Sequence, residues 1–335
     1  MTRKLAATIA AVAAVLACAA PAGAASLTYI KDHDVWISNP DGSGAVRVTH
    51  DGTADEPWDE PTMSDDGTIA AVKGFHVHLL RQNGEEIRSF VPGNPPGETT
   101  TSGTSSVRFS PDGTKLAYMK VGIGCGDPSL CDLRGISSVM DLKGNILATQ
   151  EEYTGAFPSW VDDDRILSHG GYRYQNMIWN WRTGDWVNWF DDGDIVAPGN
   201  DTDLGDGEIS DNHKSYVAIR GYGDNLAVAT YAVNGDLAAA NPLLPTMLCF
   251  ATGVVSHPTV SGDGSTAYWE EPDGVWSMAV SPECPNSAIL IPGASAPEWS
   301  AAKVAPGPKA KPSKAKQCKK LKGKARKRCL KRARG

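Results

Sequence analysis

The chain has 335 residues, which sets an expectation of one large or two ordinary domains. Apolar residues make up 41% of it, enough to bury a full core, and 35 glycines and 22 prolines among short Val/Ile/Tyr/Trp runs argue for an all-β chain and against a helical one. The net charge of −7 hides two opposite parts, because residues 26–302 carry 15 Lys/Arg against 39 Asp/Glu, a balance of −24, while residues 303–335 carry 15 Lys/Arg and no acid.

Residues 1–25 read as a secretion signal: Arg3 and Lys4 form a basic start, an Ala-rich apolar core follows, and small residues at 22–24 offer cleavage near Ala24 or Ala25. A lipid-anchored cysteine at Cys18 is the rival, which Leu16 and Ala17 fit only loosely. No later segment reaches the roughly 18 apolar residues of a membrane span. Cleavage would leave six cysteines, and an even number in an exported chain favours disulfides. Cys125 and Cys131 bracket a short Gly/Pro loop, Cys318 and Cys329 share the tail, and Cys249 and Cys284 pair by elimination.

A repeated word organises residues 26–302. It runs: small residue or Pro, variable, hydrophobic, Ser, turn, apolar strand. It begins as PTMSDDGTIAAV at 61, VRFSPDGTKLAYM at 107, PSWVDDDRILSHG at 158, GEISDNHKSYVAI at 207, PTVSGDGSTAYWE at 258 and PEWS at 297. The Asp-Gly step makes a tight reversal, with the carboxylate capping it and Gly taking the positive φ. A second hairpin follows in each unit, turning at Asn83-Gly84, Gly144-Asn145, Thr183-Gly184, Asn234-Gly235 and near Cys284. Four strands, a to d, in units of about 40–50 residues predict the blades of a β-propeller. The sixth unit has only its strand a, at 297–300. The stretch from Ser26 supplies words for strands b, c and d, so the two ends complete one blade and close the ring. The expected fold is a six-bladed all-β propeller with Velcro closure.

FSPDGTKLAYM and the closing PEWS resemble the repeats of TolB-like six-bladed β-propellers. The resemblance spans residues 26–300, and the turns VDDD and SDNH of the third and fourth units depart from its pattern. It implies an exported protein whose propeller face binds partner proteins or peptide segments. The word itself specifies turns and packing, not chemistry.

In a four-stranded meander the d–a and b–c connections share one face. The long connections at 51–60, 92–106, 121–134, 168–176, 191–207 and 241–256 sort to that face, and the short turns to the other. The long-loop face is therefore the expected binding face. This sorting puts Cys249 and Cys284 on opposite faces, beyond disulfide reach unless the strand boundaries there shift. A polar column heads the innermost strands, and Glu60, Arg108, Asp206, Glu208, His257 and Glu298 are expected at the channel mouth on the long-loop face, as a cation or basic-peptide site or as solvated lining. Tyr172, Arg173 and Tyr174 fall in a b–c loop and suit an interface anchor. Asp201, Asp203 and Asp206 are rich in calcium-type oxygen ligands but miss the EF-hand order, since Gly205 stands where a ligand is needed. The alternating Trp179, Trp181, Trp186 and Trp189 are expected to pack between blades.

No nucleophile elbow, HExxH, P-loop or dinucleotide fingerprint occurs. Residues 303–335 read as a Pro/Lys linker and a basic flexible tail, suited to anionic envelope polymers or to the acidic body. Nucleic acid fits its charge but not an exported protein. The expected function is a non-enzymatic protein- or peptide-binding scaffold in the envelope or outside the cell. The alternatives are a calcium-dependent hydrolase or lactonase with its metal at the channel mouth, and a structural surface protein held by its tail.

Overall fold

The computed structural model describes residues 25–307 except 96–98, 128–129, 151–155 and 171–173, and excepting the side chains of 99–102, 123–127 and 130–134. Twenty-four strands form six four-stranded antiparallel sheets. Blade 1 contains β4 (Trp58–Met63), β5 (Ile69–Lys73), β6 (His76–Leu80) and β7 (Glu86–Phe90). Blade 2 contains β8 (Thr99–Phe109), β9 (Lys115–Asp127), β10 (Leu130–Asp141) and β11 (Ile146–Thr149). Blade 3 contains β12 (Ala156–Trp160), β13 (Arg165–His169), β14 (Asn176–Asn180) and β15 (Trp186–Phe190). Blade 4 contains β16 (Leu204–Ile209), β17 (Ser215–Tyr222), β18 (Asn225–Ala232) and β19 (Thr246–Thr252). Blade 5 contains β20 (Ser256–Val260), β21 (Thr266–Glu271), β22 (Gly274–Ala279) and β23 (Ala288–Pro292). Blade 6 joins the two ends of the domain, in the order β24 (Ala294–Ser300), β1 (Ser26–Lys31), β2 (Asp34–Ser38) and β3 (Val46–Arg47). This is the expected six-bladed propeller with its ring closed by both termini.

The a–b turns show why the repeated word exists. Ser64 Oγ donates to Asp66 Oδ1, which also accepts the Thr68 N–H, and the same pattern recurs at Ser110/Asp112 and Ser261/Asp263. Blade 4 reaches the same geometry with other residues. Asn212 Oδ1 accepts from Ser210 Oγ and from the Lys214 N–H, and His213 takes the left-handed φ of 56° that glycine takes elsewhere. In blade 3 the carboxylate of Asp162 alone caps the turn, accepting the N–H groups of Asp164 and Arg165.

The buried hydrophobic residues fall into six clusters, one at each blade interface. Trp160 and Trp179 pack against blade 2 and Trp189 against blade 4, so the tryptophans of blade 3 fill both of its interfaces, as expected. Burial of this kind is worth about 25 cal/mol per Å² of apolar surface, and no blade can obtain it alone.

One boundary differs from the sequence reading. Residues 237–240 are not a strand; the fourth strand of blade 4 is β19, and the long 233–245 connection is a c–d loop on the face expected to hold only short turns. Asn234 Nδ2 ties that loop together, donating to Leu244 O and Thr246 Oγ1. Most of 121–134 likewise belongs to β9 and β10, which extend past the other blades as a hairpin. The shift resolves the cysteine conflict: Cys249 lies within outer strand β19, and it is disulfide-bonded to Cys284 in the neighbouring blade's c–d turn, with Cα atoms 5.2 Å apart. The bond staples blade 4 to blade 5. Cys125 and Cys131 are opposite each other in the β9–β10 register, but their side chains, like Cys18, Cys318 and Cys329, lie outside the described residues.

Candidate functional site

The first strands of the blades line the channel, and each carries the same irregularity. Glu60, Ser106, Phe157, Asp206, His257 and Ala296 all have left-handed backbones, with φ between 41° and 49°. The a–b register skips at each of them. This conformation costs a non-glycine residue about 1–3 kcal/mol, so its sixfold recurrence is a demand of the ring. The bulge re-aims the following residues, and the next polar column becomes a belt of hydrogen bonds between blades. Thr62 Oγ1 accepts the Phe109 N–H (3.5 Å), Trp160 Nε1 donates to Arg108 O (3.0 Å), and Ser159 Oγ donates to Gly207 O (2.7 Å). Thr259 Oγ1 donates to Glu208 Oε1 (3.0 Å) and accepts the Trp299 N–H (3.1 Å), and Thr28 Oγ1 closes the belt on Pro61 O (3.1 Å).

The structure brings the expected channel residues together. Arg108 is buried, with Nε 3.0 Å from Glu298 Oε2 and Nη1 3.8 Å from Glu60 Oε2. His257 lies between Glu60 (3.8 Å) and Glu270 (3.1 Å). Burial opposes charge on His257, but the carboxylates of Glu270 and Glu60 outweigh it and hold the imidazole protonated, its pKa up at about 11. Burial also pushes Glu60 upward, yet His257 and Arg108 hold it below its ordinary value. Arg108 is held charged against its burial by Glu298, Glu60, Glu208 and Asp206.

The remaining acids are less well matched. Burial raises Asp206 in spite of His257 and Arg108. Burial pushes Glu208 up to about 7 and Glu298 well above the usual carboxylate range, against the pull of Arg108. Glu208 Oε2 is buried and accepts no hydrogen bond. Two cations thus face five carboxylates, and protons make up part of the difference. The cavity that Arg108, Glu208 and Glu298 line, about 90 Å³, runs to Ser64, Asp65, Pro111 and Asp211 of the a–b turns. The cavity beside Arg108, Glu208 and Glu298 therefore adjoins the short turns, whereas the sequence placed these three at the long-loop mouth. Glu270 was not singled out in the sequence because it stands on a second strand, outside the aligned column.

The acidic loop after β15 is anchored by a residue outside the expected metal set. Asp192 is fully buried and takes Arg220 Nε (2.8 Å) and Nη2 (2.7 Å) together with the Thr202 N–H (2.9 Å). Gln175 bridges this loop to the neighbouring b–c loop, donating to Thr202 O and accepting the Asp192 N–H. Asp201 accepts the Gly199 N–H, whereas Asp206 belongs to the channel. The structure does not gather Asp201, Asp203 and Asp206, and among the described residues no group of three or more His, Cys, Asp or Glu could hold a metal ion. Buried Asp34 does for the 48–57 loop what Asp192 does here, binding Arg47, Thr49 Oγ1 and the N–H groups of Asp51 and Gly52. Tyr174 packs edge-on against Trp186, with ring centroids 5.3 Å apart, while Tyr172 and Arg173 lie outside the described residues.

No family model matches the sequence, and no curated protein matches it. Solved structures do. TolB from Acinetobacter baumannii superposes with a TM-score of 0.54 at 16% identity over 83% of this chain, which spans 66% of that protein's length. A putative TolB from Agrobacterium tumefaciens gives 0.53 at 12% identity, covering 82% of this chain and 92% of the other. At these identities the likeness is one of architecture: this chain has the TolB-like six-bladed β-propeller fold.

Proposed function

We propose that this protein is an exported, non-enzymatic scaffold that binds a protein or peptide segment at the face formed by its d–a and b–c loops. The observation that carries the reading is how that face is built. Its loops are elaborated but held by buried hubs, Asp34 under 48–57 and Asp192 under 191–203, and the long strands β9 and β10 form the b–c connection of blade 2. Pre-ordered loops on a rigid ring lower the entropy lost on binding. The TolB-like fold supports the same reading by analogy only. A hydrolase mechanism finds less support, because Glu60, Glu270 and Glu298 are paired with Arg108 and His257 and, among the described residues, no group of three or more His, Cys, Asp or Glu could hold a metal ion.

The test is affinity capture from native envelopes with the chain from residue 26, in parent form and with the β9–β10 hairpin cut back to a two-residue turn and Tyr174→Ala added. One defined protein or peptide should be retained by the parent and lost by the variant, with an unchanged melting temperature. Equal capture by both would remove the assignment to this face, and no specific capture would remove the scaffold reading. The tail carries a second reading through its charge: adhesion to an anionic envelope polymer, released by salt and absent from a chain ending at 307.

A further inference from the structure

The cavity of about 90 Å³ beside the short turns has two acidic ends and an apolar waist. Glu208 and Glu298 lie at its deep end, close enough to disfavour each other's charge. Asp65 and Asp211 line it from the a–b turns of blades 1 and 4, and they too interact across the opening. Both rim acids are exposed, and neither caps its own turn, because Asp66 and Asn212 do so. Between the ends the lining includes Met63, Phe109, Trp160, Ile209 and Trp299. Gly262 lies against the rim, where a Cβ would collide with Asp211 Oδ2 and the Trp299 ring.

Charge and hydrogen bonding are both unmatched there. Four carboxylates line the cavity against the one guanidinium of Arg108, on which Glu60 also draws. Glu298 is only 6% exposed and lies 3.0 Å from Arg108 Nε, yet its buried Oε2 accepts no hydrogen bond; nor does the buried Oε2 of Glu208. A ligand that donates to these oxygens relieves the cost of leaving a buried acceptor unmet. The four acids do not converge as metal ligands do, since among the described residues no group of three or more His, Cys, Asp or Glu could hold a metal ion. They form two pairs instead. From Glu208 to Asp211 is three positions along the chain, about 10 Å when extended. A linear dication with an aliphatic middle matches that arrangement. Ammonium ends suit it, being compact charges with three rotatable donors each.

We propose that this cavity binds a free linear aliphatic diamine, with one ammonium group seated between Glu208 and Glu298 and the other held at the rim by Asp65 and Asp211. The site adjoins the short turns, away from the loops assigned to partner binding, and its failure would leave that reading standing.

The test is titration calorimetry of cadaverine into the chain from residue 26, at low salt and at pH 8, above the Glu208 pKa of about 7. One molecule per chain should bind. Pentylamine, which lacks the second charge, should bind at least tenfold more weakly. Cadaverine should lose at least tenfold in affinity for the chain carrying Asp65→Asn with Asp211→Asn, and Glu298→Gln should remove binding. Should Glu298→Gln not fold, the exposed rim pair carries the test alone. Several weak equivalents insensitive to these substitutions would mean diffuse attraction to the acidic body and would overturn the proposal. So would equal affinity for pentylamine, displacement by an equal concentration of magnesium, or no binding at millimolar cadaverine. Binding of an oligolysine peptide but not of cadaverine would also overturn it, by moving the ammonium from a free diamine to a protein side chain.

Discussion

At the bulge layer of the channel, Glu60 and His257 face each other with fixed partners, and each is held in its charged form. One layer further along the same strands, Glu208 and Glu298 draw on a single guanidinium, and burial holds both toward the neutral form. The two layers are built from the same innermost strands and differ in backbone conformation and in the balance of charge. The difference teaches that a polar column in a propeller is not one site: in the bulge layer Glu60 and His257 pair with each other, while in the next layer Glu208 and Glu298 line a cavity with only Arg108 between them.

Removing the shared cation should break this contrast most severely. Arg108→Met leaves Glu298 and Glu60 buried without their guanidinium, and the expected loss is about 3–5 kcal/mol in denaturant unfolding. Adding Glu298→Gln should return a large part of it, because the orphaned charge is then gone. A loss below about 1 kcal/mol in the single variant would mean that protons, not Arg108, neutralise this layer.

The pH dependence sharpens the comparison. Glu208 and Glu298 have folded-state pKa values above the unfolded value near 4.5, so the folded protein binds more protons than the unfolded chain. Glu208's contribution is present below about pH 4.5 and is lost as pH rises toward 7, by an amount on the order of 3 kcal/mol, and Glu298 changes in the same direction. His257 adds a decline of the same sign, fully stabilising below its unfolded pKa near 6.5 and losing that contribution as pH rises from there toward the folded value of about 11. Unfolding measured from pH 4.5 to 8 should show stability falling, and Glu208→Gln, which keeps Oε1 for Thr259 and the Val260 N–H, should flatten the fall. A parent profile that rises across this window would place the pair with ordinary carboxylates.

Much of the fold was legible because its turns are chemical necessities. The Ser and Asp of the repeated word are the groups that close the a–b turns of blades 1, 2 and 5, and blades 3 and 4 close the same turn with Asp162 alone and with Ser210 and Asn212. The outer strands carry no such signal. β7 is exposed along most of its length and β3 has two residues, so neither shows a clear apolar alternation. In blade 4 the residues after Asn234-Gly235 imitate a strand, while the real one, β19, is identified by its register against β18. The channel was half legible. The aligned column named its members, but the choice of Glu298 as the partner of Arg108, 190 positions away, is made by ring closure alone.

The smallest expected effect bears on the bulge that separates the two layers. Ser106 is buried, has φ of 49° and is aligned with Glu60 and Asp206. In ordinary extended strand a glycine costs about 0.5–1 kcal/mol through the entropy of the unfolded chain. At Ser106 the same replacement also relieves the left-handed strain, worth about 1–3 kcal/mol. Ser106→Gly should therefore be neutral or stabilising by about 1 kcal/mol, whereas Ser105→Gly, one residue earlier, should destabilise by about 0.5–1 kcal/mol. Opposite signs at adjacent positions would locate the strain in the backbone of the bulge. Equal losses would mean that the left-handed residue is at ease there, and that the alignment of the charged layers has some other origin.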